Sequence, residues 1–535
     1  MTVTSKGTAL SKAVGLVLLL LASVRPACAS IYEVGPGQKY VNLGDVPWFK
    51  LTAGDTVNIH YRPTPYSEKI LISGRGTAAQ WIRVIGIPGP NGELPVISGK
   101  GATTSKNMHY RWQDATGGSA IQWDGVIQIA VRADDPTGPA PMPAYIEIAG
   151  LQVQDGYKDN SFVAENGVTA NYDGFAACIY ARSVQHILIR NNVLSGCGQG
   201  FYNWTGSGTQ FWDGLEADTV LRANYFVNNG NPGSYTEHQS YTESDGVVIE
   251  YNRYGVMRTG ALGSQLKDRS AGTIVRYNYV ESAPSGWMMD LVEPQESFAA
   301  IGGKATYAQT FVYGNVMVNR GSSNVVHWNE DHQVGNGRAT VAGGTLFFYH
   351  NTVVTIADTA VNPISLFNTT YGAYDCPPTA PPGIIDARNN IFAALPRTPG
   401  ASPVKLKFAY CQSQNFTFGR NWVSAGWTLG TTGTVVGVAN LVVPAVNDPK
   451  FVDAASGELH LVAGSTAIAA GGALAPQVTS NALGLDLSPT RQYVYQQQVG
   501  LRPARATPDL GAFSFPTVTA PVVQVSTPAN LRFVR

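Results

Sequence analysis

Two short segments of this 535-residue chain carry side chains able to do acid–base chemistry together: His238-Gln239-Ser240-Tyr241 with Glu243 close behind, and Leu266-Lys267-Asp268-Arg269-Ser270. Lys267 offers an amine that acts as a base once neutral. Arg269, two residues on, supplies a fixed positive charge that favours the neutral amine and clamps a carboxylate. Tyr241 or His238 is the competing base, or the acid that protonates a leaving oxygen. Such a set suits removal of a proton from a carbon made weakly acidic by a neighbouring carboxylate, the enolate-like charge being held by the cations. The plainer alternative is that Glu243, Lys267, Asp268 and Arg269 form a surface ion network.

The elements that must hold these residues are written in a repeat. An asparagine within an apolar alternation recurs at Asn192, Asn224, Asn252, Asn278, Asn315, Asn351 and Asn390. Three residues earlier stand Ile189, Leu221, Ile249, Val275, Val312, Phe348 and Ala387, all apolar. Two residues earlier stand Arg190, Arg222, Glu250, Arg276, Tyr313, Tyr349 and Arg388, mostly charged. Adjacent positions thus face opposite ways, as a strand demands. Two residues after the asparagine come Leu194, Phe226, Tyr254, Val280, Met317, Val353 and Phe392, so the chain turns and sends a second apolar side chain inward. Asparagine suits the turn because it tolerates left-handed backbone and its amide can bond the coils above and below. The fold class is therefore all-β: one right-handed parallel β-helix solenoid with loop insertions. The column Arg222, Glu250, Arg276 reads as a salt-bridge stack on a solvated face, without chemistry.

With the asparagine as ruler, the position eleven residues earlier holds Asp213, Tyr241, Lys267 and Lys304 in successive coils, and Glu243 in one coil faces Arg269 in the next. Such a column along one flank is expected to floor a long groove, with Asp213, Glu243 and Lys304 contacting the ligand. Phe201, Tyr202, Trp204, Phe211 and Trp212 cluster just before it. Trp204 and Trp212 are candidate sugar-stacking platforms, or else packing of a loop. Metal ligands stay unassigned. His327, Glu330, Asp331 and His332 in an inserted loop are one candidate group, and Asp213, Glu216 and Asp218 a possible calcium site.

Basic and acidic residues balance at 36 each, which removes the electrostatic case for nucleic acid as partner. Lys6 and Lys12, the apolar run Val14 to Ala22, and Ala27-Cys28-Ala29 read as a secretory signal peptide over residues 1–29, and no later stretch is long enough to span a bilayer. Export to the periplasm or beyond permits disulfides, and Cys178–Cys197 and Cys376–Cys411 are the economical pairings. The solenoid is expected over residues 30–513, its closing segment running from Asn447 to Phe513, with 514–535 as a tail and the protein a monomer.

These features together resemble the pectate-lyase-like superfamily of right-handed parallel β-helix proteins. His238 to Tyr241, Leu266 to Ser270 and Met289-Asp290 are similar to an arrangement in bacterial polysaccharide lyases of the alginate and chondroitin type. The resemblance implies an exported enzyme that cleaves an acidic, uronate-containing polysaccharide by β-elimination, with Lys267 and Arg269 as its catalytic pair. Those lyases carry that pair on neighbouring coils, whereas here the two residues share one segment. The alternatives are a non-catalytic carbohydrate-binding or surface-structural β-helix, and a glycoside hydrolase using Asp213, Glu243 and Asp245.

Overall fold

The computed structural model describes residues 1–2, 29–110, 121–132, 142–205, 214–282, 286–321, 324–329, 344–359, 362–369, 383–410, 414–444, 448–494 and 498–515. Within them the chain winds as a right-handed parallel β-helix built from three long parallel sheets of 13, 11 and 10 strands. One coil shows the order. Asp245–Glu250 lies in sheet 1, Arg253–Tyr254 in sheet 2 and Leu266–Asp268 in sheet 3, and Ala271–Arg276 returns to sheet 1 one level up. No helix among the described residues is long and apolar enough to cross a membrane.

The expected core register is the observed one. Ile189, Leu221, Ile249, Val275, Val312, Phe348 and Ala387 pair strand to strand and are fully buried. Leu194, Phe226, Tyr254, Val280, Met317, Val353 and Phe392 do the same in sheet 2.

Between the two sheets runs an asparagine ladder, and Asn421 extends it by one rung beyond those counted in the sequence. From Asn224 onward each side-chain oxygen accepts from the backbone N–H and the side-chain amide of the asparagine one coil below, and the Asn192 oxygen accepts from Leu151 N. At Asn278 the oxygen takes Asn252 N at 2.9 Å and Asn252 Nδ2 at 3.1 Å. The Asn278 amide in turn donates to Ile249 O at 2.8 Å and to Asn315 Oδ1 at 2.9 Å. The turn chemistry differs from expectation in one respect: the left-handed residue is the one before the asparagine. Asn191 (φ 55°), Tyr251 (φ 59°), Tyr277 (φ 56°) and His350 (φ 52°) carry that conformation. The asparagine is selected for its amide, which the ladder consumes.

The outer faces of sheets 1 and 2 are covered in part. The chain after residue 450, expected to close the end of the solenoid, instead runs back along its sides. Ala475, Val478 and Leu487 pack on Leu188, Val220, Val248, Ile274 and Phe311 of sheet 1. Leu459, Leu461, Tyr493, Leu510 and Phe513 pack on Val316, Val354, Ile391 and Trp422 of sheet 2. Glu250 in the expected solvated stack is therefore buried, bridged by Arg222 at 2.5 Å and Arg276 at 2.7 Å. Burial alone would raise its carboxyl pKa, but the two guanidiniums outweigh it and hold the group below its usual range. Cys178 and Cys197 form the expected disulfide. Cys376, Cys411 and residues 3–28 and 516–535 lie outside the described residues.

Three outcomes follow from this packing. Ile249→Asp places an unpaired charge in the core and should cost several kcal/mol in chemical denaturation. Asn278→Ala strands buried donors and acceptors on both neighbouring coils and should cost about 3 kcal/mol by the same measurement. Glu250 has a lowered folded-state pKa, so the stability it contributes is present above the unfolded value, about 4.3. That stability is lost as pH falls through the lower folded value. Glu250→Gln should therefore lower the melting temperature at neutral pH, and the gap to the parent should narrow in acid; a constant gap refutes the linkage.

Candidate active site

Sheet 3 carries a polar outer column, whereas the returning chain packs on parts of the other two sheets. Leu266 points inward to the core, and so does Asp268, which accepts from Thr242 Oγ1 and Thr273 Oγ1, each at 2.6 Å. Alternation then turns Lys267 outward. The coil-to-coil register makes a continuous outward row of Gln128, Tyr180, Tyr202, Tyr241, Lys267, Asp290, His327 and Asn368.

Lys267 Nζ donates to Asp290 Oδ2 at 2.7 Å, and the other Asp290 oxygen meets His327 Nδ1 at 2.7 Å. The Trp287 indole stacks on the His327 ring, with centroids 4.3 Å apart and planes at 20°. Lys267 is thus ion-paired to a carboxylate, a partner that its sequence neighbours did not indicate.

Where sheet 3 bends into sheet 1, Arg269 lies buried against the segment that begins at Glu293. Its Nε donates to the Tyr241 phenol oxygen at 2.8 Å and its guanidinium to Glu293 O at 2.7 Å. Arg269 is buried, so the clamp on a ligand carboxylate expected of it is replaced by a hold on Tyr241. Burial raises the Tyr241 pKa; Arg269 opposes that by stabilising the tyrosinate, and the net position stays above the ordinary value. The Tyr202 ring lies beside it, tilted by 54° with centroids 4.9 Å apart. Glu243 is fully buried and accepts from Gln295 N at 3.0 Å, Ser297 N at 2.7 Å and Ser297 Oγ at 2.6 Å. Burial, with the Glu296 carboxylate nearby, pushes its pKa up to about 7 against the Ser297 hydrogen bonds. His238 accepts from Ser264 N through Nδ1 at 2.9 Å. Its neutral ring therefore carries the proton on Nε2 and is a donor there, which disfavours it as base.

The structure brings Tyr241, Lys267, Arg269, His238 and Glu243 together and separates other expected residues. Lys304 is not in the column: it pairs with Asp245 at the margin of sheet 1, and Asp290 holds the position assigned to it. The asparagine ruler fails there because residues 293–308, including the short helix Phe298–Ile301, are inserted between sheet 3 and sheet 1. His327 lies in strand Val326–Asn329, not in a loop. Trp204 sits one coil below Glu243 with the Arg182 guanidinium 4.2 Å from its ring centroid. Of the possible calcium ligands, Asp218 pairs with His186 at 2.8 Å while Glu216 is buried beside Asn203, so each carboxylate has its own setting. Among the described residues no cluster of three His, Cys, Asp or Glu side chains is arranged to hold a metal ion. Asp213, Trp212, Glu330, Asp331 and His332 lie outside the described residues. Asp290, Trp287 and Tyr202 acquire their place only here. Asp290 stood in the Met289-Asp290 motif without a role, and its signal was the 23-residue step from Lys267.

No family model matches the chain, and no curated protein matches it. Among solved structures, a pectate lyase, Pel9A, is 11% identical with a TM-score of 0.42, covering 91% of this chain and 96% of that one. A lacto-N-biosidase from Eubacterium ramulus is 10% identical at 0.39, covering 78% and 68%. An alginate lyase from Paenibacillus sp. str. FPU-7 is 14% identical at 0.32, covering 68% and 94%. The likeness is one of solenoid fold, and the chemistry rests on the residues above.

Proposed function

We propose that the protein is an exported carbohydrate-active enzyme that cleaves a uronate-containing polysaccharide by β-elimination on the outer face of sheet 3. The observation that carries this reading is the pairing, on neighbouring coils, of a phenol whose oxygen receives the Arg269 Nε–H with an ammonium held by Asp290. Lys267 meets the uronate carboxylate and stabilises the negative charge that builds on it. Tyr241, as tyrosinate stabilised by Arg269, takes the proton from the carbon bearing that carboxylate. The electron pair left behind becomes a carbon–carbon double bond as the glycosidic carbon–oxygen bond breaks. The phenol then returns the proton to the departing oxygen, so acid and base are one group. The disulfide fits an oxidising compartment. The hydrolase alternative finds an acid of suitable pKa in Glu243, but that carboxyl faces the backbone amides of residues 295 and 297.

Incubation with a panel of uronate polymers should give the ultraviolet absorbance of an unsaturated product; reducing ends without absorbance would refute elimination. Tyr241→Phe and Lys267→Met should each lower turnover by roughly a hundredfold or more, with melting temperatures near the parent's. The rate should rise with pH as the tyrosinate forms. Arg269 opposes the upward shift of Tyr241, so Arg269→Gln should move the rising limb of kcat/KM to higher pH. An unmoved limb would show that another group titrates.

A further inference from the structure

We infer that the protein holds a second carbohydrate site, apart from the sheet 3 row: a cleft at the margin of sheet 1 that binds a neutral pyranose unit of a glycan. The cleft is about 380 Å³ in volume and lies between sheet 1, the inserted segment 293–308 and the returning chain at residues 482–485. That size is typical of small-ligand sites.

One column of sheet 1 makes the space. The second residues of five neighbouring strands are Tyr145, His186, Asp218, Gly246 and Gly272, and all five have left-handed φ, from 54° to 97°. On the first coils the column is filled: the Tyr145 and His186 rings stack with centroids 4.2 Å apart, and His186 Nδ1 meets Asp218 Oδ2 at 2.8 Å. On the last two the side chain is missing. Left-handed backbone favours glycine, yet Tyr, His and Asp hold the same conformation in the preceding coils, so the backbone alone does not require it. A Cβ at position 246 would stand 3.1 Å from Asp218 Oδ1, and one at 272 would stand 3.0 Å from Leu483 Cδ2. The two glycines thus keep the cleft open.

The lining selects the occupant. Val248, Ile274, Leu483 and Leu485 supply apolar surface, which suits the C–H face of a pyranose. Asp218 and Asp245 each spend Oδ2 on a cation, His186 and Lys304 in turn, and each keeps Oδ1 as an acceptor for a sugar hydroxyl. The charged groups lining the cleft are these two carboxylates and the Lys304 ammonium. That balance repels a uronate carboxylate and favours an uncharged sugar. The site therefore differs in ligand from the one proposed on sheet 3, and binding here does not depend on elimination there.

The full chain is titrated calorimetrically with cellotriose, mannotriose, maltotriose and chitotriose, and with trigalacturonate as the anionic control. At least one neutral trisaccharide should bind. Ala482→Trp, at an exposed position of the cleft wall, and Asp245→Ala should each weaken that binding about tenfold or more, with melting temperatures near the parent's. Any binding of trigalacturonate should be unchanged in both variants. The inference is overturned if no neutral trisaccharide binds, if binding survives both variants, or if trigalacturonate binding falls with them. Neutral-sugar binding that is lost instead in Lys267→Met puts the sugar on sheet 3 and also overturns it. None of these outcomes bears on the absorbance assay for elimination, so the two readings fail separately. Should Ala482→Trp not fold, Asp245→Ala decides.

Discussion

The ladder of asparagine amides sets the register on which every other feature depends. Each rung ties a backbone N–H, a side-chain amide and a carbonyl of adjacent coils, as Asn252, Asn278 and Asn315 show. A slip of one residue would turn the apolar set outward and break the amide chain together. Loops of different length leave the solenoid between rungs without disturbing it, because each coil is pinned again at its next asparagine. That tolerance lets residues 293–308 be inserted beside the site while Lys267 and Asp290 remain strand neighbours.

A parallel solenoid presents three outer faces, and this chain covers parts of two of them with its own C-terminal segment. Beside that wrapped face Arg222 and Glu250 are buried and Arg276 is partly covered, so the Glu250 carboxylate is neutralised by a guanidinium on each side. The sheet 3 row is left for other work. Its character changes along the axis, from stacked tyrosines to a lysine, a carboxylate and a histidine.

At the site the two cations, both buried, are sorted by their partners. Lys267 takes Asp290 as partner, whereas Arg269 spends its donors on a phenol and a backbone carbonyl. Two residues apart in sequence, they differ in role because the strand ends between them and the chain turns into the next sheet. The loop that supplies Glu293 O to Arg269 also supplies the amides of residues 295 and 297 to Glu243, so one inserted segment fixes both groups.

The sequence by itself determined the solenoid, its core register and the ladder, since those depend on patterns that repeat at every coil: Ile189 to Phe348 could be aligned without knowing the length of any loop. It also brought forward Tyr241 and Lys267, because the Asn252 and Asn278 coils carry no insertion between sheet 3 and sheet 1. Only the tertiary structure decided that Asp290 stands where Lys304 was expected, that His327 belongs to a strand, that Arg269 holds a tyrosine, and that the Arg222 stack is enclosed. Each of these depends on an inserted loop or a returning segment. A periodic pattern carries no information about where a non-repeating stretch of chain comes to rest, and its resting place is what sets burial and partner.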